Sequence, residues 1–176
     1  MLNFFIAISF LFYIQDPSVS KTISQDTLIK TVNPQFGELL ENTYPEYVPS
    51  VTIDEFKELN RENLYILDTR GKDEYAVSHL KNAREVGYYW FDMRDVYDIP
   101  KNATVITYCA VGNRSSRIAE RMIRAGYKNV FVLFGGIFEW VNGGNPVYTQ
   151  KDVQTSQVHA YSKEWAKWLE KGNKVL

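Results

Sequence analysis

The chain of 176 residues has one cysteine, Cys109, and two histidines, His79 and His159. A single thiol excludes an intramolecular disulfide, and so few soft ligands exclude a Cys/His zinc site. There is no run of lysines and arginines and the formal net charge is -1, so neither nucleic acid nor an anionic membrane surface is indicated as a partner. Nor is there an apolar run of the ~20 residues that a helix needs to cross a bilayer. The stretch from Phe4 to Ile14 is about half that length and breaks at Gln15-Asp16-Pro17. Internal repeats and low-complexity tracts are absent. What is present is an ordinary globular composition, 45% hydrophobic, in a length that suits one domain with short extensions.

The run from Phe4 to Ile14 has the length of a secretory h-region, and Ser18-Val19-Ser20 supply the small residues of a cleavage site, although no Lys or Arg precedes it. This predicts an export signal over residues 1–20 and a periplasmic or secreted protein, with a short N-terminal membrane anchor as the alternative and no stable membrane span. Residues 21–47 are polar and irregular, with Pro34, Gly37 and Pro45, and read as a leader in which Leu28-Ile29 and Leu39-Leu40 pin short helical turns. Oxidising compartments favour paired thiols, so a lone thiol there is either a buried passenger or a working group.

Periodicity starts near Val48. In VTIDEFKELN, Thr52 and Glu55 form a capping box, with Ile53, Phe56 and Leu59 on one helical face. NLYILDTR reads as a buried strand ending in Asp68 and Arg70, KDEYAVSHL as one or two helical turns, and Glu85–Tyr88 as a short strand. Val105–Tyr108 is the clearest strand. A helix follows, with Ile118, Ala119, Met122 and Ile123 on one face, closed by Ala125-Gly126. NVFVLFGG is a further strand, and IFEWVNGGNPV a short helix stopped by Gly143-Gly144 and Pro146. Strand and helix in alternation imply an α/β fold: a mostly parallel five-stranded sheet with helices on both faces over residues 48–147. Residues 148–176 read as a C-terminal helical extension, with Tyr161, Trp165 and Trp168 about one turn apart.

Cys109 falls where a strand ends and a helix is about to begin, the edge of an α/β sheet at which ligands bind. Ala110, Val111, Gly112 and Asn113 can curl so that successive N–H groups point inward and make a nest for an anion, and Gly112 permits the positive φ such a curl needs. The next helix contributes its positive end and Arg114 a full charge. All three favour an anionic sulfur, so the surroundings predict an activated nucleophile with room for a second anion beside it. A buried structural cysteine explains none of them.

YCAVGNRSSRIA resembles the active-site loop of the rhodanese family, C-x-x-G-x-R-S after a strand. ILDTRGKDEYAVSHLKNAREV is similar to that family's strand ending in Asp-x-Arg, short helix and His before an Ala-containing turn. VFVLFGGIFEWVNGGNPV is similar to its closing strand, Gly-Gly, Trp and Gly-x-Pro segment. The likeness runs from Thr52 to Val147 and implies a single-domain rhodanese-like sulfurtransferase. In that case Cys109 takes a sulfane sulfur from a small, thiosulfate-like anion, becomes a persulfide and passes the sulfur to cyanide, a thiol or a protein acceptor. The backbone from Ala110 to Ser115 would cradle the persulfide and Arg114 would hold the donor or steady the leaving group, with no metal or organic cofactor. Two departures matter. Ala110 stands where many thiosulfate-using members carry a basic residue, which leaves the donor open. Only four residues separate Cys109 from Arg114, one fewer than in the family's cell-cycle phosphatases, so phosphatase or arsenate reductase chemistry is a distant alternative. A non-enzymatic persulfide relay or binding module is the nearer one.

Among the remaining residues, Asp68 and Arg70 read as a supporting ion pair at the strand end rather than as loop-orienting groups. His79 reads as a structural hydrogen-bonding residue and His159 as solvated. Tyr88 to Phe91 read as core cover, with a pocket wall as the alternative, and the tail aromatics as the residues that dock the extension.

Overall fold

The computed structural model describes residues 31–41, 44–45 and 48–176. Its centre is a five-stranded sheet, β1 (Ser50–Val51), β2 (Leu64–Asp68), β3 (Ala83–Glu85), β4 (Thr104–Tyr108) and β5 (Asn129–Leu133), in the order β1-β5-β4-β2-β3. Every pairing in it is parallel. Strands covered on both faces read as unbroken apolar runs, and β2, β4 and β5 do. Ile66, Ile106 and Phe131 point to one side, and Leu67, Val105, Val130 and Val132 to the other.

The first side carries α1 (Pro34–Glu41), α2 (Ile53–Glu58), α3 (Lys72–Val77) and α5 (Gly136–Asn142), which bury Phe36, Leu40, Phe56, Ile137 and Phe138. The second carries α4 (Asn113–Arg124), through Ile118, Ala119 and Met122, and a 3-10 turn over Met93–Val96. At the start of α2 the capping box is present: Thr52 Oγ1 accepts the Glu55 N–H at 3.2 Å, and Glu55 accepts the Thr52 N–H at 2.9 Å.

Four expectations need correction. The strand expected at Glu85–Tyr88 begins two residues earlier, at Ala83. Ile123 stands at the rim of the apolar face of α4 and is 37% exposed. In the aromatic run after β3 only Phe91 is buried, and Tyr89 and Trp90 are exposed. Residues 148–176 form no α-helix. They form a two-stranded antiparallel pair, β6 (Val147–Tyr148) with β7 (Gln154–Thr155), a parallel pair, β8 (Gln157–His159) with β9 (Asn173–Val175), and one 3-10 turn at Ala166–Trp168. The reason lies in what the tail packs against. Val158, Ala160 and Leu169 are fully buried, and Asn142 of α5 donates to the Trp168 carbonyl and accepts from the Glu170 and Lys171 N–H groups. A straight helix could not satisfy both sets of contacts at once.

The leader also begins earlier as structure than its composition implies. Phe36 and Leu40 of α1 have no exposure at all, and Phe36 stacks on Trp168 at 5.6 Å, so the two extensions meet. The expected export signal over residues 1–20 and the turn at Leu28-Ile29 lie outside the described residues.

At the carboxyl end of β2 and β4 a fully buried polar network replaces apolar packing. Arg70 reaches Asp68 through Nε at 3.0 Å and through Nη2 at 2.6 Å, and Nη2 also donates to the Ser78 carbonyl at 2.6 Å. Tyr108 donates to Asp68 at 2.6 Å and accepts the Leu80 N–H at 3.1 Å. Burial alone would lower the Arg70 guanidinium; the charge and hydrogen bonds of Asp68 outweigh it, so the guanidinium is held above its ordinary value and stays charged. Removing one partner of such a pair leaves an uncompensated buried charge and costs about 3–5 kcal/mol. Asp68→Asn is therefore expected to lower the stability measured by urea unfolding by an amount in that range; an effect below about 1 kcal/mol would show that the pair is not what holds this edge.

Candidate active site

The chain leaves β2 outward to β3 and leaves β4 the opposite way to β5, so the carboxyl ends of β2 and β4 flank the point where the strand order reverses. Cys109 follows β4 there and is 1% exposed. The loop curls as its glycine allows. Gly112 has φ +114° and donates its N–H to Cys109 Sγ at 3.0 Å. Ser115 Oγ lies 3.8 Å from the sulfur and donates to the Gly112 carbonyl at 2.9 Å. The Ser116 N–H also bonds that carbonyl and so opens α4. The N–H groups of Asn113, Arg114 and Ser115 lie in the first turn, where the helix offers no acceptor, so this rim is rich in donors and carries the helix's positive end.

The carbonyls of the same loop are taken up from behind. The Ile137 N–H bonds the Cys109 carbonyl at 3.0 Å, and the Phe138 N–H bonds that of Ala110 at 3.1 Å. So close an approach needs a residue without a side chain. Gly136 has φ +59°, and a Cβ there would stand 2.4 Å from the Cys109 carbonyl oxygen. With the Cys109 and Ala110 carbonyls turned away and the Gly112 N–H aimed at the sulfur, the loop has the form of an anion cradle.

Arg114 is committed to a neighbour. Both of its terminal nitrogens bond the Glu74 carboxylate, at 2.6 and 2.7 Å, and the pair is largely buried. Glu74 Oε2 also accepts the Gly71 N–H at the start of α3. Burial alone would raise the Glu74 carboxyl; Arg114 outweighs it and holds the group below its ordinary value of 4.5. Over the guanidinium lies the ring of Tyr161, 4.7 Å from centroid to Cζ, in a residue whose own φ is +65°.

A second tyrosine covers the loop. The Tyr44 hydroxyl donates to the Val111 carbonyl at 2.7 Å and accepts the Gly135 N–H at 2.9 Å, and its ring stacks on Phe134 at 5.2 Å. It lies so close above Gly112 that a Cβ there would meet the hydroxyl at 1.7 Å. Burial, and next the charge of Cys109, hold the Tyr44 phenol well above its ordinary value.

The structure thus gathers Cys109, Ala110, Val111, Gly112, Asn113, Arg114 and Ser115 in one loop, with Asp68 and Arg70 beneath it at the end of β2. His79 stands apart: its Nδ1 is 3.1 Å from the Tyr75 carbonyl oxygen, its ring stacks on Tyr75, and its backbone pairs with Tyr148. His159 is half-buried in β8 and its Nδ1 accepts the Tyr161 N–H. Among the described residues no group of three His, Cys, Asp or Glu is placed to hold a metal ion. Reading the sequence misses Glu74, Tyr44 and Tyr161. Glu74 carries a signal of its own, as an acid three residues after Gly71 at a helix start; the two tyrosines lie too far along the chain to be linked to the loop.

Comparison with known proteins agrees with this geometry. The Rhodanese-like domain family matches residues 52–143. A sulfurtransferase of Allochromatium vinosum is 30% identical over 86 residues, covering 49% of this chain and 79% of that protein. The adenylyltransferase and sulfurtransferase uba4 of Ogataea parapolymorpha is 28% identical, over 48% of this chain and 22% of its own length; several matched proteins are much longer than the segment they share. A thiosulfate sulfurtransferase from Pseudomonas aeruginosa superposes with a TM-score of 0.54 at 26% identity, covering 76% of this chain and 25% of that one. A rhodanese-like domain from Anabaena superposes at 0.52 with 23% identity, over 57% of this chain and 79% of that one, which speaks for the fold alone. By motif, fold and loop geometry, the chain belongs to the rhodanese-like domain family.

Proposed function

We propose that the protein is a sulfurtransferase that carries sulfane sulfur on Cys109. The observation that supports this most directly is the position of Sγ on the floor of the cradle, with the Gly112 N–H aimed at it at 3.0 Å. With a thiosulfate-like donor, the Cys109 thiolate attacks the outer sulfur, a new S–S bond forms, and the bond to the sulfonate breaks with its electron pair leaving on sulfite. The terminal sulfur of the resulting persulfide carries the negative charge, which the inward N–H groups stabilise. A thiolate or cyanide then attacks that outer sulfur, takes it as a persulfide or as thiocyanate, and restores the Cys109 thiolate. Solitude suits this role, since no second thiol in the chain can discharge the persulfide into an internal disulfide.

A second reading, delivery of the sulfur by a protein persulfide, is favoured by one observation. Arg114 is neutralised by Glu74 and the residue after Cys109 is Ala110, so no unpaired cation of the loop itself awaits a dianionic donor. Under either reading residues 1–20 would export the protein; the N-terminal sequence of protein from its native host is expected to begin near Lys21, and an intact Met1 would overturn that part of the proposal.

Intact mass after incubation with thiosulfate should rise by one sulfur atom and return on adding cyanide, and Cys109→Ser should gain nothing. A gain from a protein persulfide but none from thiosulfate would select the second reading, and a gain from neither would contradict both. Glu74 gives a pH-dependent prediction. Its folded value lies below its unfolded one, so the stability it contributes is complete above the ordinary carboxylate range and is lost as pH falls through the folded value. The difference in melting temperature between wild type and Glu74→Gln should therefore be largest at neutral pH and shrink steadily on acidification below about pH 4.5; a difference independent of pH would contradict it.

A further inference from the structure

We infer that Tyr44 is the gate of the Cys109 pocket and restricts it to small sulfur donors; this rests on the reading of Cys109 as a sulfur acceptor. A sulfur that bonds to Cys109 must come within S–S bonding distance, about 2.05 Å, of an atom whose residue is 1% exposed. Something above the loop has to yield. Tyr44 lies directly on Gly112, the residue whose N–H holds the sulfur, with its hydroxyl 1.7 Å from where a Cβ would stand. It is held there by polar contacts that can open without unravelling the sheet: one hydrogen bond to the Val111 carbonyl, one from the Gly135 N–H, and the stack on Phe134.

The two hydrogen bonds tie the cysteine loop to the turn that starts α5, because Val111 belongs to the one and Gly135 to the other. While both are made, the hydroxyl pins the ring between the loop and that turn, over Gly112. When both are broken, the phenol leaves a space beside Gly112, whose N–H points to the sulfur. Tyr44 is not part of the segment shared with the family, which starts at residue 52. The gate is therefore supplied from outside the segment that the family model matches and acts on a loop within it.

Alkylation of Cys109 tests this without requiring any sulfur transfer. The second-order rates with iodoacetamide, which is small, and with N-ethylmaleimide, which is bulkier, would be measured on the wild type, Tyr44→Phe and Tyr44→Ala, alongside each variant's melting temperature. Loss of two hydrogen bonds of about 1 kcal/mol each makes opening easier, so Tyr44→Phe should react on the order of thirtyfold faster with both reagents. Tyr44→Ala removes the ring as well, and its gain with N-ethylmaleimide should exceed its gain with iodoacetamide at least severalfold. General loosening would instead raise both reagents equally and in step with the fall in melting temperature, and would overturn the gate, as would rates within twofold of wild type in both variants. Should either variant prove too unstable to assay, exchange of the Gly135 amide hydrogen in the wild type decides: the gate predicts that it exchanges in step with iodoacetamide modification as conditions are varied, and exchange uncoupled from modification overturns it. Faster alkylation in a protein that never accepts sulfur would keep the gate and reject the transferase reading.

Discussion

The buried ion pair of Asp68 and Arg70 is the constraint on which the rest of this edge depends. Asp68 receives the hydroxyl of Tyr108, the residue immediately before Cys109, and so fixes where β4 releases the chain. Arg70 reaches past it to the Ser78 carbonyl at the end of α3 and so fixes the helix that carries Glu74. Glu74 in turn holds Arg114 on the far side of the loop. Both ends of the cysteine loop are thus referred to one pair of charges that water does not reach, where an ion pair tolerates little displacement because losing its geometry is costly. The cradle is preorganised in the sense that matters for charge stabilisation: the Gly112 N–H is already aimed at the sulfur before any anion arrives.

Around that common frame the two extensions build a roof. Tyr44 comes from the N-terminal side and Tyr161 from the C-terminal side, and they cover different walls of the same loop, Tyr44 over Gly112 and Tyr161 over the Arg114 guanidinium. The extensions also hold each other through Phe36 and Trp168. A contact made by one therefore bears on how firmly the other is seated.

The central sheet and the loop were legible because their signals are local. An apolar run bounded by turns, a capping box at Thr52 and Glu55, and C-x-x-G-x-R-S each occupy a few consecutive residues, and the burial of β2, β4 and β5 on both faces writes itself into composition. The tail was not legible for the opposite reason. Tyr161, Trp165 and Trp168 have helical spacing, yet Tyr161 lies over Arg114 while Trp165 and Trp168 pack against the core, and the buried residues that hold the tail, Val158, Ala160 and Leu169, answer to partners far along the chain. The exposed Tyr89 and Trp90 show the same limit, since an aromatic run marks apolar surface without saying which members turn inward. Arg114 was visible as a charge beside the sulfur, but its commitment to Glu74, forty positions away, is a fact of the fold.

The claim that joins these observations is that one sulfur atom per chain resides on Cys109 in this cradle. Cyanolysis of protein loaded with a sulfane donor and freed of excess reagent measures it directly. The account predicts one thiocyanate per chain from wild type and none from Cys109→Ser; thiocyanate well below one per chain from wild type, or equal amounts from both proteins, would contradict it.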